Sequence, residues 1–167
     1  WNIENALAAV SVGLECGMTL DECSERLESF RAPKMRMEPL QLGPFTILND
    51  AYNSNPASAR NAVSAFSRMG EGRRFAVVGD MNELGSRSSV LHRDLGRHIA
   101  SASIDQVVTV GPECRVLAQE VPGALHFNRV EDLCDRLPDL VQPGDWILLK
   151  GSRTISLEKV VRYIGEM

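Results

Sequence analysis

What most constrains the fold of this 167-residue chain is a series of short apolar segments that alternate with helix-like ones from Phe45 onward. Strands are read at 45–49, 74–79, 105–111, 124–127 and 145–151, and helices at 56–69, 86–102, 112–119, 129–138 and 156–165. Ala76-Val77-Val78 and Ile147-Leu148-Leu149 are apolar without alternation, the pattern of strands covered on both faces. Parallel neighbours need a crossover long enough to hold a helix, so strand-helix-strand repetition points to a parallel sheet. The expected fold is α/β: a Rossmann-like, doubly wound, mostly parallel sheet with flanking helices.

Ahead of that series, "RAPKMRMEPLQLGPFTILND" reads as extended, with Gly43-Pro44 turning a β-hairpin. Residues 3–15 and 19–30 read as two helices split at Gly17, the second opened by Thr19 as N-cap with Asp21 and Glu22 in its first turn. Because Trp1 already lies in a helix-like stretch, residues 1–31 are expected to be a two-helix remnant of a preceding domain and 32–167 the domain proper. An apolar content of 44% can fill a core. The formal charge of −4 and the pI near 5.4 argue against a nucleic-acid partner. No segment has the roughly 20 apolar residues that span a bilayer. "WNIENALAAVSVGLECGM" lacks the basic start and cleavage pattern of a signal peptide, so no membrane insertion and a cytoplasmic location are expected. Cys16, Cys23, Cys114 and Cys134 form no C-x-x-C pair and do not sit with His92, His98 or His126, so reduced thiols, most of them packing residues, and no metal site are expected. Met35, Met37, Met69 and Met81 read as core or gap fillers.

In an open α/β sheet, ligands bind beyond the carboxyl ends of the strands. Three polar clusters fall at such ends: "DAYNSN" (50–55), "GDMNELG" (79–85) and "KGSR" (150–153). Asn55-Pro56 alone is an ordinary helix start, an acceptor for orphan N–H groups followed by a residue shaped for the first helical position. That leaves Asp50, Tyr52 and Asn53 unexplained. Asp80 can equally cap a turn after Gly79, Lys150 and Arg153 can be solvated charges, and His92 reads as a packing or hydrogen-bonding residue. The chain has no G-x-x-x-x-G-K-[ST] loop, no G-x-G-x-x-G and no nucleophile elbow.

"DAYNSNPASARNAV", "VVGDMNELG", "LHRDLG" and "LLKGSR", in this order, resemble motifs of the carboxyl-terminal domain of the Mur ligases. "NIENALAA" resembles the last helix of that family's central ATPase domain. Within the family the chain is most like the member that joins D-alanyl-D-alanine to UDP-N-acetylmuramoyl-tripeptide. The resemblance implies a whole enzyme that uses ATP and Mg²⁺ to turn the tripeptide carboxylate into an acyl phosphate, which the dipeptide amine attacks. It implies that the phosphate loop and metal ligands belong to the central domain, and that the chain works with its own N-terminal and central domains. Carried over residue by residue, Asp50 would accept from the ATP ribose hydroxyls, Arg36 would approach the phosphates, and Asn2 and Asn5 would lie beside the nucleotide. Tyr52, Asn53 and Asn55 would shape the junction between nucleotide and dipeptide, with Tyr52 counted among the nucleotide-binding residues and Asn53, Asn55 and Arg36 as the catalytic set. Asp80, Lys150, Ser152 and Arg153 would line the dipeptide side, with either Lys150 or Arg153 on its carboxylate. The chain departs from the family pattern at Trp1, where His is usual, at "PKMRME", where Gly commonly precedes the Arg, and at Thr154-Ile155-Ser156, which replaces a Gly and an Arg. Two other readings remain open: a non-catalytic Rossmann-like nucleotide- or peptide-binding module, and another amide ligase of the Mur and folylpolyglutamate synthetase superfamily.

Overall fold

The computed structural model describes residues 2–31 and 33–167, Asn2 for its backbone alone. The chain divides into two compact units, Trp1–Pro33 and Lys34–Met167. In the first, α1 (Asn2–Glu15) and α2 (Leu20–Glu28) are joined through Gly17, whose φ of +87° suits a residue without a Cβ. Thr19 starts α2 with a reciprocal cap. Its hydroxyl accepts the Glu22 N–H at 3.2 Å, and the Glu22 carboxylate accepts the Thr19 N–H at 2.8 Å. Gly13 lets the helices close up, since a Cβ there would lie 2.8 Å from Cys23 Sγ. Ile3, Leu7, Val12 and Leu14 of α1 remain exposed, Ile3 at 73%.

The second unit is built on a six-stranded sheet of order β1-β2-β6-β3-β4-β5. Its strands are β1 (Glu38–Leu42), β2 (Phe45–Asp50), β3 (Arg74–Gly79), β4 (Gln106–Val110), β5 (Leu125–Phe127) and β6 (Trp146–Lys150). The β1–β2 pair is antiparallel, a hairpin turning at Gly43, and all other pairs are parallel. The helices are α3 (Pro56–Phe66), α4 (Ser88–Ala100), α5 (Arg115–Ala118), α6 (Val130–Leu140) and α7 (Glu158–Glu166). Side chains alternate across the pleat, so each central strand feeds both faces. Ile47, Val77, Ile147 and Leu149 pack with Leu133 and Leu137 of α6 and Val160 and Ile164 of α7. Leu48, Ala76, Val78 and Leu148 pack with Phe66 of α3, Leu95 and Ile99 of α4 and Leu117 of α5. Each large apolar side chain buried this way contributes about 1.5–3 kcal/mol.

This topology sets the three polar clusters at neighbouring strand ends. The crossover from β2 to β3 skips one position, and β6 later fills it. The chain leaves β2 and β3 toward the α3/α4 face but leaves β6 toward α7, so a crevice opens above the end of β6. The register sets Lys150 level with Asp50 on one side and Val78 on the other. Just beyond, Gly79 and Gly151 face each other; a Cβ on Gly151 would lie 2.9 Å from Leu157 Cδ1 and 3.1 Å from Gly79 Cα.

Some expected boundaries shift. The helix read at 86–102 starts as a 3₁₀ turn, Gly85–Arg87, before α4, and the last helix follows a 3₁₀ turn at Arg153–Ile155. The helix read at 112–119 is a single turn, and the stretch read as extended bends sharply around Met35 and Met37 (φ +61° and +51°). Met81 is buried as expected, whereas Met69 is 38% exposed just beyond α3 and fills no core.

Candidate active site

At the end of β2 the backbone turns through Ala51–Ser54 into α3. Asn55 is the N-cap: its Oδ1 accepts the Ser58 N–H at 2.8 Å, the Ser58 hydroxyl accepts the Asn55 N–H at 3.2 Å, and Pro56 follows at the first helical position. The helix-start reading therefore accounts for the Asn55 oxygen. Asn53 is exposed, and its Oδ1 accepts the Ser54 N–H at 2.8 Å. Asp50 is buried with both oxygens engaged, Oδ1 accepting the Met37 N–H at 3.1 Å and Oδ2 lying 2.9 Å from Lys150 Nζ. The Ser54 Oγ and the Asn49 Oδ1, both buried, have no hydrogen-bond partner among the described residues.

The turn before β1 docks on this one. Besides the Met37 contact, the Tyr52 N–H donates to the Met35 carbonyl at 3.1 Å, and the Met35 N–H donates to Glu38 at 2.9 Å. Non-glycine residues in left-handed backbone cost about 1–2 kcal/mol each. Such strain persists where surrounding bonds dictate the conformation, often at functional sites. Between the two methionines, Arg36 stacks its guanidinium over the Tyr52 ring, 4.3 Å from the centroid. Two residues that the resemblance puts on the nucleotide side, Arg36 and Tyr52, are thus in direct contact.

The ends of β3 and β6 are laced together. The Ser152 N–H donates to the Asp80 carbonyl and the Asn82 N–H to the Ser152 hydroxyl, both at 2.9 Å, while the Asn82 amide donates to the Thr154 hydroxyl at 2.6 Å. Asn82 was not among the sequence candidates, and its only mark there is its place in "GDMNELG". The Asp80 carboxylate, 3% exposed by residue, turns away toward β4, where Oδ1 accepts the Cys114 N–H at 2.7 Å. Gly111 (φ +108°) makes room for it, because a Cβ there would overlap the carboxylate. Burial raises the Asp80 carboxyl above its ordinary value, opposed by the N–H groups of Cys114 and Glu113, and burial likewise pushes the Cys114 thiol well up. Arg153 is exposed, its Nη1 lying 3.3 Å from Glu158 and 3.1 Å from the Met35 sulfur. Asn5 is exposed on α1 in the other unit, and the side chain of Asn2 lies outside the described residues.

Among the described residues, one trio has the composition of a metal site: Asp80, His92 and Cys114, all buried. Its donors are already used. His92 accepts the Met81 N–H on Nε2 at 3.0 Å and bonds the Ser88 carbonyl through Nδ1 at 2.9 Å, and the thiol stays protonated beside the Asp80 charge. Mg²⁺ takes oxygen ligands in octahedral array, which this trio does not offer. The cluster is a hydrogen-bonded brace that ties the start of α4 and the turn after β4 to the end of β3.

The fold defines a doubly wound α/β domain whose β2, β6 and β3 ends carry three polar clusters side by side. Residues 35–153 match the family described as Mur ligase, glutamate ligase domain, and the chain belongs to that family. UDP-N-acetylmuramoyl-tripeptide–D-alanyl-D-alanine ligase of Escherichia coli (strain K12) is 38% identical over 99% of this chain, which spans 37% of that protein. A crystal structure of MurF from Acinetobacter baumannii superposes with a TM-score of 0.92 at 30% identity, covering 99% of this chain and 37% of that one. The MurF ligase from Thermotoga maritima, solved in complex with ADP, gives a TM-score of 0.81 at 28% identity, covering 94% of this chain and 36% of that one.

Proposed function

We propose that this chain is the carboxyl-terminal part of an ATP-dependent amide ligase that joins D-alanyl-D-alanine to UDP-N-acetylmuramoyl-tripeptide in cytoplasmic peptidoglycan synthesis. The observation that carries the reading is the meeting of three polar strand ends, those of β2, β6 and β3, at the point where the sheet changes winding direction. The names of the relatives support it, as does the ADP in the Thermotoga structure.

In this reading the tripeptide carboxylate attacks the γ-phosphorus of ATP and ADP leaves. The dipeptide nitrogen then attacks the acyl carbon, and the tetrahedral intermediate expels phosphate. Asp50 takes the ribose, and Arg36, held by Tyr52, meets phosphate charge. Asn53 and the free amide nitrogen of Asn55 orient the reacting junction, while Asp80 and Ser152 shape the floor of the dipeptide side. Arg153 is the cation for the dipeptide carboxylate, because its guanidinium is exposed and, among the described residues, only Nη1 is engaged by acceptors. Mg²⁺ and the phosphate loop are supplied by a preceding domain, with Asn2 and Asn5 near the nucleotide. Residues 1–33 belong with that preceding domain, whose surface covers the exposed apolar side of α1.

The complete reading frame, expressed and supplied with ATP, Mg²⁺, the UDP-linked tripeptide and a panel of amines, tests this by mass spectrometry of the products. The expected product carries D-alanyl-D-alanine, and the 167-residue chain alone makes none. Ligation of a different amine, or none, would overturn the proposal.

A further inference from the structure

Lys150 is one of three lysines in the chain, and it is 2% exposed. Its Nζ lies 2.6 Å from the Asn53 carbonyl, 2.9 Å from Asp50 Oδ2 and 3.4 Å from the Asp50 carbonyl. An ammonium has three protons and no acceptor capacity, so these three oxygens use all of it. Nothing is left for a substrate carboxylate, which removes Lys150 from the pair of cations the resemblance offers for that role.

The three acceptors share one feature: all belong to the turn between β2 and α3, two at its start and one three residues on. Asp50 is in turn tied through its other oxygen to the Met37 N–H, one residue from Arg36. A single buried cation therefore holds the acid assigned to the nucleotide, the backbone of the residue assigned to the reacting junction and, through Asp50, the turn that presents the phosphate-side arginine. A compact point charge with three rotatable donors suits such divergent acceptors, whereas a planar guanidinium does not. Out of water, Asp50 would be an uncompensated charge without it.

We infer that Lys150 is a positioning residue, a buried strut that sets the spacing between the nucleotide acid and the reacting side of the crevice. The roles on either side of the strut rest on the proposed ligase function; the strut itself rests on geometry alone.

Two experiments test it. In the first, the folded chain is treated with an amine-acylating ester and mapped by mass spectrometry, with and without urea. Lys34 and Lys159 are exposed and should be modified in both conditions, while Lys150 should react only in urea. Native acylation of Lys150 at the rate of Lys34 overturns the strut, whether or not the complete protein is a ligase. In the second, Lys150→Met is made in the complete protein and both Michaelis constants are measured. Loss of the strut should raise the KM for ATP about tenfold, the scale of one charged hydrogen bond, and lower kcat on the order of a hundredfold through misplacement, with the dipeptide KM within a factor of two. An effect confined to the dipeptide KM overturns the inference. A wild-type protein that ligates nothing refutes the proposed function instead; in that case, and where the Lys150→Met protein fails to fold, the acylation result decides the strut.

Discussion

Gly111→Ala should be one of the most damaging single-methyl changes in the second unit. Two costs add. At φ +108° the backbone lies outside the region open to alanine, a strain of about 1–3 kcal/mol. The new Cβ would also overlap the Asp80 carboxylate, which must move and give up its 2.7 Å bond from the Cys114 N–H. A hydrogen bond to a buried charged group is worth about 1.5–3 kcal/mol, so the total is roughly 2.5–6 kcal/mol. That is a large share of the 5–15 kcal/mol typical of a domain. Gly123→Ala is the matched control: its φ of +75° carries backbone strain, but nothing lies within 4 Å of the added methyl. Urea unfolding of both variants, followed by circular dichroism with slopes compared, separates strain from overlap. Equal destabilisation by the two changes would refute the view that Asp80 is seated by this turn.

Three other outcomes follow from the site. Asp80→Asn should flatten part of the pH dependence of stability. The folded-state pKa of Asp80 lies above its ordinary 3.8, so the folded protein binds the extra proton, and this group's contribution falls as pH rises from about that value through the raised one. Wild-type stability minus that of the variant should therefore decline with rising pH in that window; a flat or rising difference contradicts the assignment. Asn55→Ala should cost about 1 kcal/mol through loss of the α3 cap, measured by the same unfolding assay, and no change would mean the cap is energetically silent. Thr154→Ala in the complete protein should shift amine preference more than ATP use, because the Thr154 hydroxyl accepts the Asn82 amide beside the proposed dipeptide side; identical preference across the amine panel would count against it.

Local pattern carried much of the fold. The 74–79 strand and the Gly43 turn are where the sequence places them, because a strand buried on both faces needs an uninterrupted apolar run and a tight hairpin needs a residue that tolerates positive φ. Strand order was not legible: an insertion of β6 between β2 and β3 and a simple sequential sheet obey the same handedness rule. Nor was the direction of Asp80, whose partner lies 34 residues away on another turn. Gly111 at the end of "QVVTVG" was the visible trace of that contact, readable only once β3 and β4 are known to be neighbours. The same holds for Lys150. A lysine ending an apolar strand looks solvated in sequence, and only the register that sets it beside Asp50 shows why it is buried. The bend at Met35 and Met37 also escaped, since methionine has no preference for left-handed backbone and tertiary hydrogen bonds impose it.

The central claim is that the polar turn after β2 serves amide-bond chemistry, and Asn53→Ala in the complete protein tests it most directly. The Asn53 side chain is exposed, and its one bond among the described residues, from the Ser54 N–H, is local, so its removal should leave thermal melting nearly unchanged. Steady-state kinetics with ATP, the UDP-linked tripeptide and D-alanyl-D-alanine should then show kcat lowered on the order of ten- to a hundredfold, the loss of one or two well-placed hydrogen bonds at the reacting centre. Wild-type turnover in a protein that melts normally would mean the turn does no more than start a helix.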